Sequence, residues 1–320
     1  MNISGETIGV DLGGTKMLAG VLDPESKVLW EDREASTGQD EGELLELLVR
    51  EVGEARAARP GVAAVGLGIP ATIDRERGVA VSAVNLPIAD LPIRDAVAER
   101  TGLPVFVDND ANVAALAEHL YGAARGARNV VMLTIGTGIG GGLILNGEVY
   151  RGSTGAGAEL GHTVIAADGP PCQGNCPNRG CVETLASGTA LGREGREAAE
   201  WEPDSALAKM AATGREIDGR AVTEAALAGD ATAIGAVERI GRRLGVALSS
   251  FANIFEPDMI VIGGGVIAAG DLLLEPARRV LRERALPPMN RTPVVEAELG
   301  NDAGMIGAAA MARLEIEGAD

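Results

Sequence analysis

Two glycine-rich turns constrain this chain more than any other feature. Each lies between two apolar strands, and one opens each half of the 320 residues. The first is Asp11-Leu12-Gly13-Gly14-Thr15-Lys16, between strands expected at 7–12 and 17–22. The second is Gly136-Thr137-Gly138-Ile139-Gly140-Gly141-Gly142, between strands expected at 130–135 and 142–145. Glycine costs backbone entropy in such positions, so five in seven residues need a reason. A tight turn whose backbone N–H groups cradle an anion supplies one. An ordinary glycine hairpin is the other reading of the first turn. Neither turn is a Walker loop or a dinucleotide fingerprint, because a strand and not a helix follows it. The repetition predicts two similar α/β lobes facing a shared cleft.

The remaining pattern supports that architecture. A third strand is expected at 28–31, and the links among the first three are too short for helices, so these strands are antiparallel. Leu44, Leu47, Leu48 and Val52 recur at helical spacing within 42–58, and Pro60-Gly61 ends that helix. A strand at 63–69, a helix at 90–100, a strand at 105–107 and a helix at 111–119 follow. In the second half, Asn146-Gly147 marks a hairpin that leads into a strand at 149–151. The stretch 186–228 reads as mostly helical and 231–255 as one long amphipathic helix. A strand at 259–262, a helix at 272–284, a strand at 292–298 and a helix at 303–314 complete the chain.

Several polar residues interrupt this apolar frame. Asp11, at a strand end, can hold Mg²⁺ through water, and Thr15 adds a hydroxyl donor to the first turn. Thr137 is the candidate side-chain contact to a γ-phosphate in the second. Gly263-Gly264-Gly265 ends another strand, where bare backbone admits an adenine or ribose, or simply turns the chain into a helix. Asp108-Asn109-Asp110-Ala111-Asn112 joins a strand to a helix. Asn109 or Asp110 can cap that helix. Asn109 also suits a sugar hydroxyl, as donor and acceptor, and Asp110 suits a base that takes a hydroxyl proton. Glu159 and Glu183 are of the type that accepts from polyols, though isolated glutamates are often surface residues.

All 3 cysteines fall within ten residues, spaced C-x₃-C-x₄-C: Cys172, Cys176 and Cys181. With His162 they make a Cys₃His set, which fills a tetrahedral structural Zn²⁺ site. His119, the other histidine, has no such neighbours in sequence. The formal net charge is −18 and only 2% of residues are aromatic. A polyanionic surface without stacking platforms argues against nucleic acid and anionic membranes as partners. No apolar run is long enough to span a bilayer, and the start MNISGETIGVDLGG is unlike a signal peptide. A cytoplasmic location is expected.

Taken together, these motifs resemble the ROK family of bacterial sugar kinases and related repressors. DLGGTK at 11–16 resembles its first phosphate motif, GTGIGGG at 136–142 its second, and NDAN at 109–112 its catalytic segment. ELGH at 159–162, followed by the cysteine loop and Glu183, resembles its signature, and Gly263–Gly265 its adenosine motif. The resemblance covers essentially the whole chain. It implies an α/β, two-lobed actin-like or hexokinase-like ATPase fold with a zinc-stapled loop. It divides the chain into a small lobe over 1–115, joined by the last helix at about 300–320, and a large lobe over 116–299. It implies that Asp110 is the catalytic base, and that Asn85, Asn109, Asp110, Glu159, His162 and Glu183 bind sugar. Asp11, Gly13, Gly14, Thr15, Lys16, Thr137, Gly138, Gly264 and Gly265 would bind Mg²⁺-ATP, and His162 would serve both zinc and sugar.

The implied activity is phosphorylation of a hexose, glucose first, by a homodimer or homotetramer. The usual cysteine loop is C-x-C-x₄-C, so the longer first gap here is expected to bulge beside Cys172. Three alternatives come with the resemblance. Another sugar, such as N-acetylmannosamine, fructose or allose, can be the acceptor, and polyphosphate can replace ATP. A non-catalytic sugar-responsive regulator is the third; a phosphate motif starting at residue 11 leaves no room ahead of it for a DNA-binding domain.

Overall fold

The computed structural model describes residues 5–38, 40–83, 86–174 and 176–318. Asn85 therefore lies outside the described residues. The chain forms two compact units. One comprises 1–126, 142–158 and 298–320, and the other 127–141 and 159–297. The first boundary falls beyond the expected 115, because the helix that begins at Asp110 runs on to Tyr121.

The first unit begins with β1 (Thr7–Leu12), β2 (Lys16–Leu22), β3 (Val28–Ala35) and α1 (Glu41–Ala58). Then come β4 (Val65–Ile69), β5 (Ala71–Asp74), β6 (Val79–Ala83), β7 (Ala89–Leu91), α2 (Ile93–Thr101), β8 (Val105–Asn109) and α3 (Asp110–Tyr121). β1, β2 and β3 are antiparallel neighbours. β4 and β8 join them in parallel, giving the order β3-β2-β1-β4-β8. Asp40 and Glu43 start α1 with reciprocal caps of 2.9 and 3.0 Å, which satisfy N–H groups the helix leaves unpaired. The α1 face bearing Leu44, Leu47, Leu48 and Val52 is buried with Val10, Leu12, Leu67 and Ile69 in one apolar cluster.

β5, β6 and β7 form a second small sheet that the pattern of apolar residues does not reveal. Its strands have only four, five and three residues, too short for alternation to register. The helix expected at 90–100 accordingly starts later, at Ile93, since Pro92 holds Leu91 extended.

The second unit contains β9 (Val130–Ile135), the start of β10 (Ile139–Leu145), α4 (Val182–Ala186), α5 (Gly188–Trp201), α6 (Ala206–Ala212), α7 (Gly219–Leu227), α8 (Ala231–Phe255), β12 (Met259–Gly263), α9 (Asp271–Arg284) and β13 (Val294–Glu296). The chain crosses units within β10, and β11 (Glu148–Val149) pairs with its far end. Asn146 and Gly147 both have positive φ, 57° and 89°, the turn their pairing predicts. The strands expected at 149–151 and 292–298 are shorter than that reading. β12 runs parallel to both β9 and β13, and the sheet order is β11-β10-β9-β12-β13. This repeats the order of the first sheet: a glycine-turn hairpin at one side, parallel strands at the other.

The last helix, α10 (Ala303–Glu317), belongs to the first unit. Its approach is so close that a Cβ on Gly66 of β4 would meet the Ala308 carbonyl, and one on Gly307 would meet that of Val113. Glycine is the only residue that permits these separations. Among the described residues, no helix is long and apolar enough to cross a membrane.

Candidate active site

In the first unit the polar motifs gather at the carboxyl ends of parallel strands. Asp11 of β1 is in register with Gly68 of β4, which is in register with Asp108 of β8. Open α/β sheets bind ligands at such edges. The hairpin beyond Asp11 is closed by the Gly13 N–H donating to the Lys16 carbonyl at 2.8 Å. A Cβ on Gly13 would lie 2.9 Å from that carbonyl oxygen. Ser36 Oγ donates to the Gly13 carbonyl at 2.6 Å, and its N–H to Thr15 at 3.1 Å. Thr15 and Lys16 project into solvent.

Asp11 is the electrostatic centre of this half. Burial pushes its carboxyl up to about 7, the Asp110 carboxylate adds to the push, and Lys16 opposes it. Two carboxylates close enough for one to raise the other's proton affinity offer a hard cation a natural seat. Gly304, at the start of α10, closes the other side: a Cβ there would lie 2.5 Å from Asp11 Cγ.

Asn109 caps α3. Its Oδ1 accepts from the N–H groups of Ala111 and Asn112 at 2.9 and 3.3 Å, and its Nδ2 donates to the Ala71 carbonyl at 3.3 Å. The capping reading of the sequence therefore holds for Asn109, while Asp110 occupies the first turn and its Oδ1 accepts from Ala111 N–H at 2.9 Å. Asp108, Asn112 and Arg151 were not singled out from sequence. Asp108 is only 1% exposed. It accepts from Asn109 N–H at 2.8 Å, Asn112 Nδ2 at 2.9 Å and Arg151 Nε at 2.5 Å. Arg151 follows β11, and nothing in its sequence context foretells this buried partner.

The second unit carries the other motifs. β9 and β12 end side by side, Thr134 in register with Gly263, so the two remaining glycine clusters lie at adjacent carboxyl ends. Gly264 has φ +86°, and a Cβ there would press on the Ile135 backbone at 2.5 to 2.7 Å. Nothing lies close to Gly265. The second phosphate-type turn is braced from α5: Gly188 N–H donates to the Gly136 carbonyl and Thr189 Oγ1 to the Thr137 carbonyl, both at 2.8 Å. Glu183 Oε2 accepts from Ile139 N–H at 2.8 Å.

Glu159 precedes a single 3₁₀ turn, Leu160–His162. Burial pushes its carboxyl above the ordinary range; His162 pulls it back and Glu183 adds to the push. His162 Nδ1 lies 3.5 Å from Cys172 Sγ, and Cys176 Sγ lies 4.0 Å from Cys181 Sγ. One ligand atom from each of these four residues lies within 4.8 Å of the others. Tetrahedral Zn–S bonds of about 2.3 Å place sulfurs about 3.8 Å apart, so the donor set fits Zn²⁺. Cys172 joins it despite the longer gap, which Cys176 N–H tightens by donating to the Gln173 carbonyl at 3.4 Å.

Two α/β units of one strand order, each with its glycine turn and its carboxylates, make a sugar-kinase-type fold. The chain belongs to the ROK family, whose profile matches residues 7–315. It is 38% identical over 315 residues to a glucokinase of Streptomyces coelicolor, spanning 97% of this chain and 98% of the relative. A ROK family glucokinase from Streptomyces griseus, solved with glucose and AMPPNP, superposes with a TM-score of 0.86 at 37% identity, covering 97% of this chain and 100% of that one. A ROK hexokinase from Thermus thermophilus gives 0.79 at 38% identity, covering 98% and 99%.

Proposed function

We propose that this protein transfers the γ-phosphate of ATP to the 6-hydroxyl of glucose. The observation that carries the reading is the full-length likeness to a glucokinase holding glucose and an ATP analogue. Asp110 takes the proton from the attacking hydroxyl, and Asn85, Asn109, Glu159, His162 and Glu183 hold the sugar. Asp11, Gly13, Gly14, Thr15, Lys16, Thr137 and Gly138 receive the phosphates, and Gly264 and Gly265 the adenosine. When bound, Mg²⁺ neutralises charge on the phosphates, and Asp11 is the residue that holds its water shell. His162, Cys172, Cys176 and Cys181 hold a structural Zn²⁺, which leaves no open coordination position for chemistry. The protein assembles as a homodimer or homotetramer in the cytoplasm and takes neither nucleic acid nor membrane as partner.

The test is a coupled assay with Mg²⁺-ATP against glucose, mannose, fructose, allose, N-acetylglucosamine and N-acetylmannosamine. Glucose should give the highest kcat/KM. A different winner would keep the mechanism and reassign the pocket. No turnover with any of them, using either ATP or polyphosphate, would leave a non-catalytic sugar-binding regulator as the better reading.

A further inference from the structure

Glu183 stands two residues beyond the last cysteine, where the reading above makes it a sugar ligand. Its carboxylate nevertheless points at the nucleotide machinery. Oε2 accepts from the N–H of Ile139, the residue that ends the second glycine turn. The seat is made for it: a Cβ on Gly138 would collide with the same Oε2. A Cβ at 138 would have to push the carboxylate off this bond. Ile139 itself is 5% exposed, so its N–H has little access to water as an alternative partner. On the opposite side of the same residue, Gly161 packs so tightly on the Ile139 carbonyl that no Cβ fits there. The segments that carry the sugar and thiol residues therefore touch Ile139 at both groups: Glu183 accepts from its N–H, and Gly161 packs against its carbonyl.

The same segments are tied to one another. Val182 N–H donates to the Thr163 carbonyl at 2.9 Å, and Val164 pairs with Cys181. Glu183 follows immediately, in the first turn of α4. The remaining braces of the turn come from α5 and reach the carbonyls of Gly136 and Thr137. None of these bonds uses the N–H of Thr137 or Gly138, the groups best placed to meet a phosphate. A hydrogen bond from a backbone N–H to an ionised carboxylate is among the stronger kinds, and a buried N–H that loses its acceptor must move or stay unpaired.

We infer that Glu183 is a positioning residue for the second phosphate turn, so that it sets the affinity for nucleotide as well as any affinity for sugar. The inference rests on the kinase reading but separates from it experimentally. Binding of Mg²⁺-AMPPNP is measured calorimetrically without any sugar, for the wild type and for Glu183→Ala and Glu183→Gln. A residue that only contacts sugar leaves these affinities alone. The expected result is a loss of about tenfold to a hundredfold for Glu183→Ala, with most of it recovered in Glu183→Gln, whose amide oxygen can still accept from Ile139. Steady-state kinetics should show the KM for ATP rising in Glu183→Ala at saturating glucose. Equal AMPPNP affinity in the wild type and in Glu183→Ala would overturn the positioning role and leave the kinase reading intact. A wild type that binds no AMPPNP would overturn both. Glu183→Leu keeps most of the bulk without an acceptor oxygen, so if Glu183→Ala fails to fold, Glu183→Leu decides: a loss of about tenfold or more upholds the role of the acceptor oxygen, and affinity within a few-fold of wild type overturns it.

Discussion

Asp11 is held by burial in a range where physiological pH matters. Its folded pKa of about 7 lies above the ordinary aspartate value of 3.8, so the folded state binds this proton more tightly than the unfolded chain does. The stability this group contributes is complete below about pH 4 and is lost as pH rises through 7. A cation seated on Asp11 must displace that proton. The Mg²⁺ concentration for half-maximal activity should therefore fall steeply between pH 6 and pH 7 and level off above 7.5. Asp11→Asn should flatten the dependence, and a wild-type profile that is already flat would remove Asp11 from the cation site. Asp110→Asn should lower kcat by about 10²–10⁴ while the circular dichroism spectrum stays unchanged; near-normal turnover would exclude it as the base. The motif residues themselves were legible in the sequence because their types are rare in apolar strand–turn contexts. Arg151 was not, because its partner Asp108 is 43 positions away and only folding buries the pair.

At the scale of elements, long amphipathic segments declared themselves and short ones did not. The helix α8 was readable end to end, with Asp230 capping Ala233 N–H at 2.8 Å. The sheet of β5, β6 and β7 was invisible, since strands of three to five residues carry no measurable period. The glycines of α10 were legible only as weak helix formers. Their purpose is contact: Gly307→Val would drive a side chain into the Val113 carbonyl of α3. We expect it to cost about 1–3 kcal/mol or more by chemical denaturation, the usual penalty of overpacking, whereas Gly53→Ala, exposed within α1 with nothing nearby, should cost nothing. Within the thiol loop, Cys181→Ala should reduce bound zinc and raise the KM for glucose together. Normal zinc content, measured by plasma emission on purified protein, would take Cys181 out of the ligand set.

At the scale of the molecule, the first unit is assembled from three separate stretches of chain. Its sheet is completed on one face by α10, where buried Thr7 Oγ1 donates to the Ala309 carbonyl at 2.9 Å across most of the sequence. Deleting residues from 303 onward should therefore unfold the first unit rather than shorten it, seen as protease-sensitive 1–126 in limited digestion. Persistence of a resistant N-terminal fragment would contradict this. A net charge of −18 makes the folded state self-repelling at low ionic strength. Raising salt from about 10 mM to 150 mM, where the screening length falls from about 30 to 8 Å, should raise Tm.

By itself the sequence determined the two glycine turns, the Cys₃His set, the carboxylate motifs and the long helices, because each is a local pattern of residue type and spacing. Tertiary structure alone decided what those residues touch. It set the Asn109 amide on the Ala71 carbonyl, buried Asp108 under Arg151, set Gly304 against Asp11 and turned Glu183 toward Ile139. These are contacts between segments distant in sequence, and their energies depend on burial and on separations of a few ångströms. No local pattern encodes such separations; they exist only once strands of one order have brought their ends together.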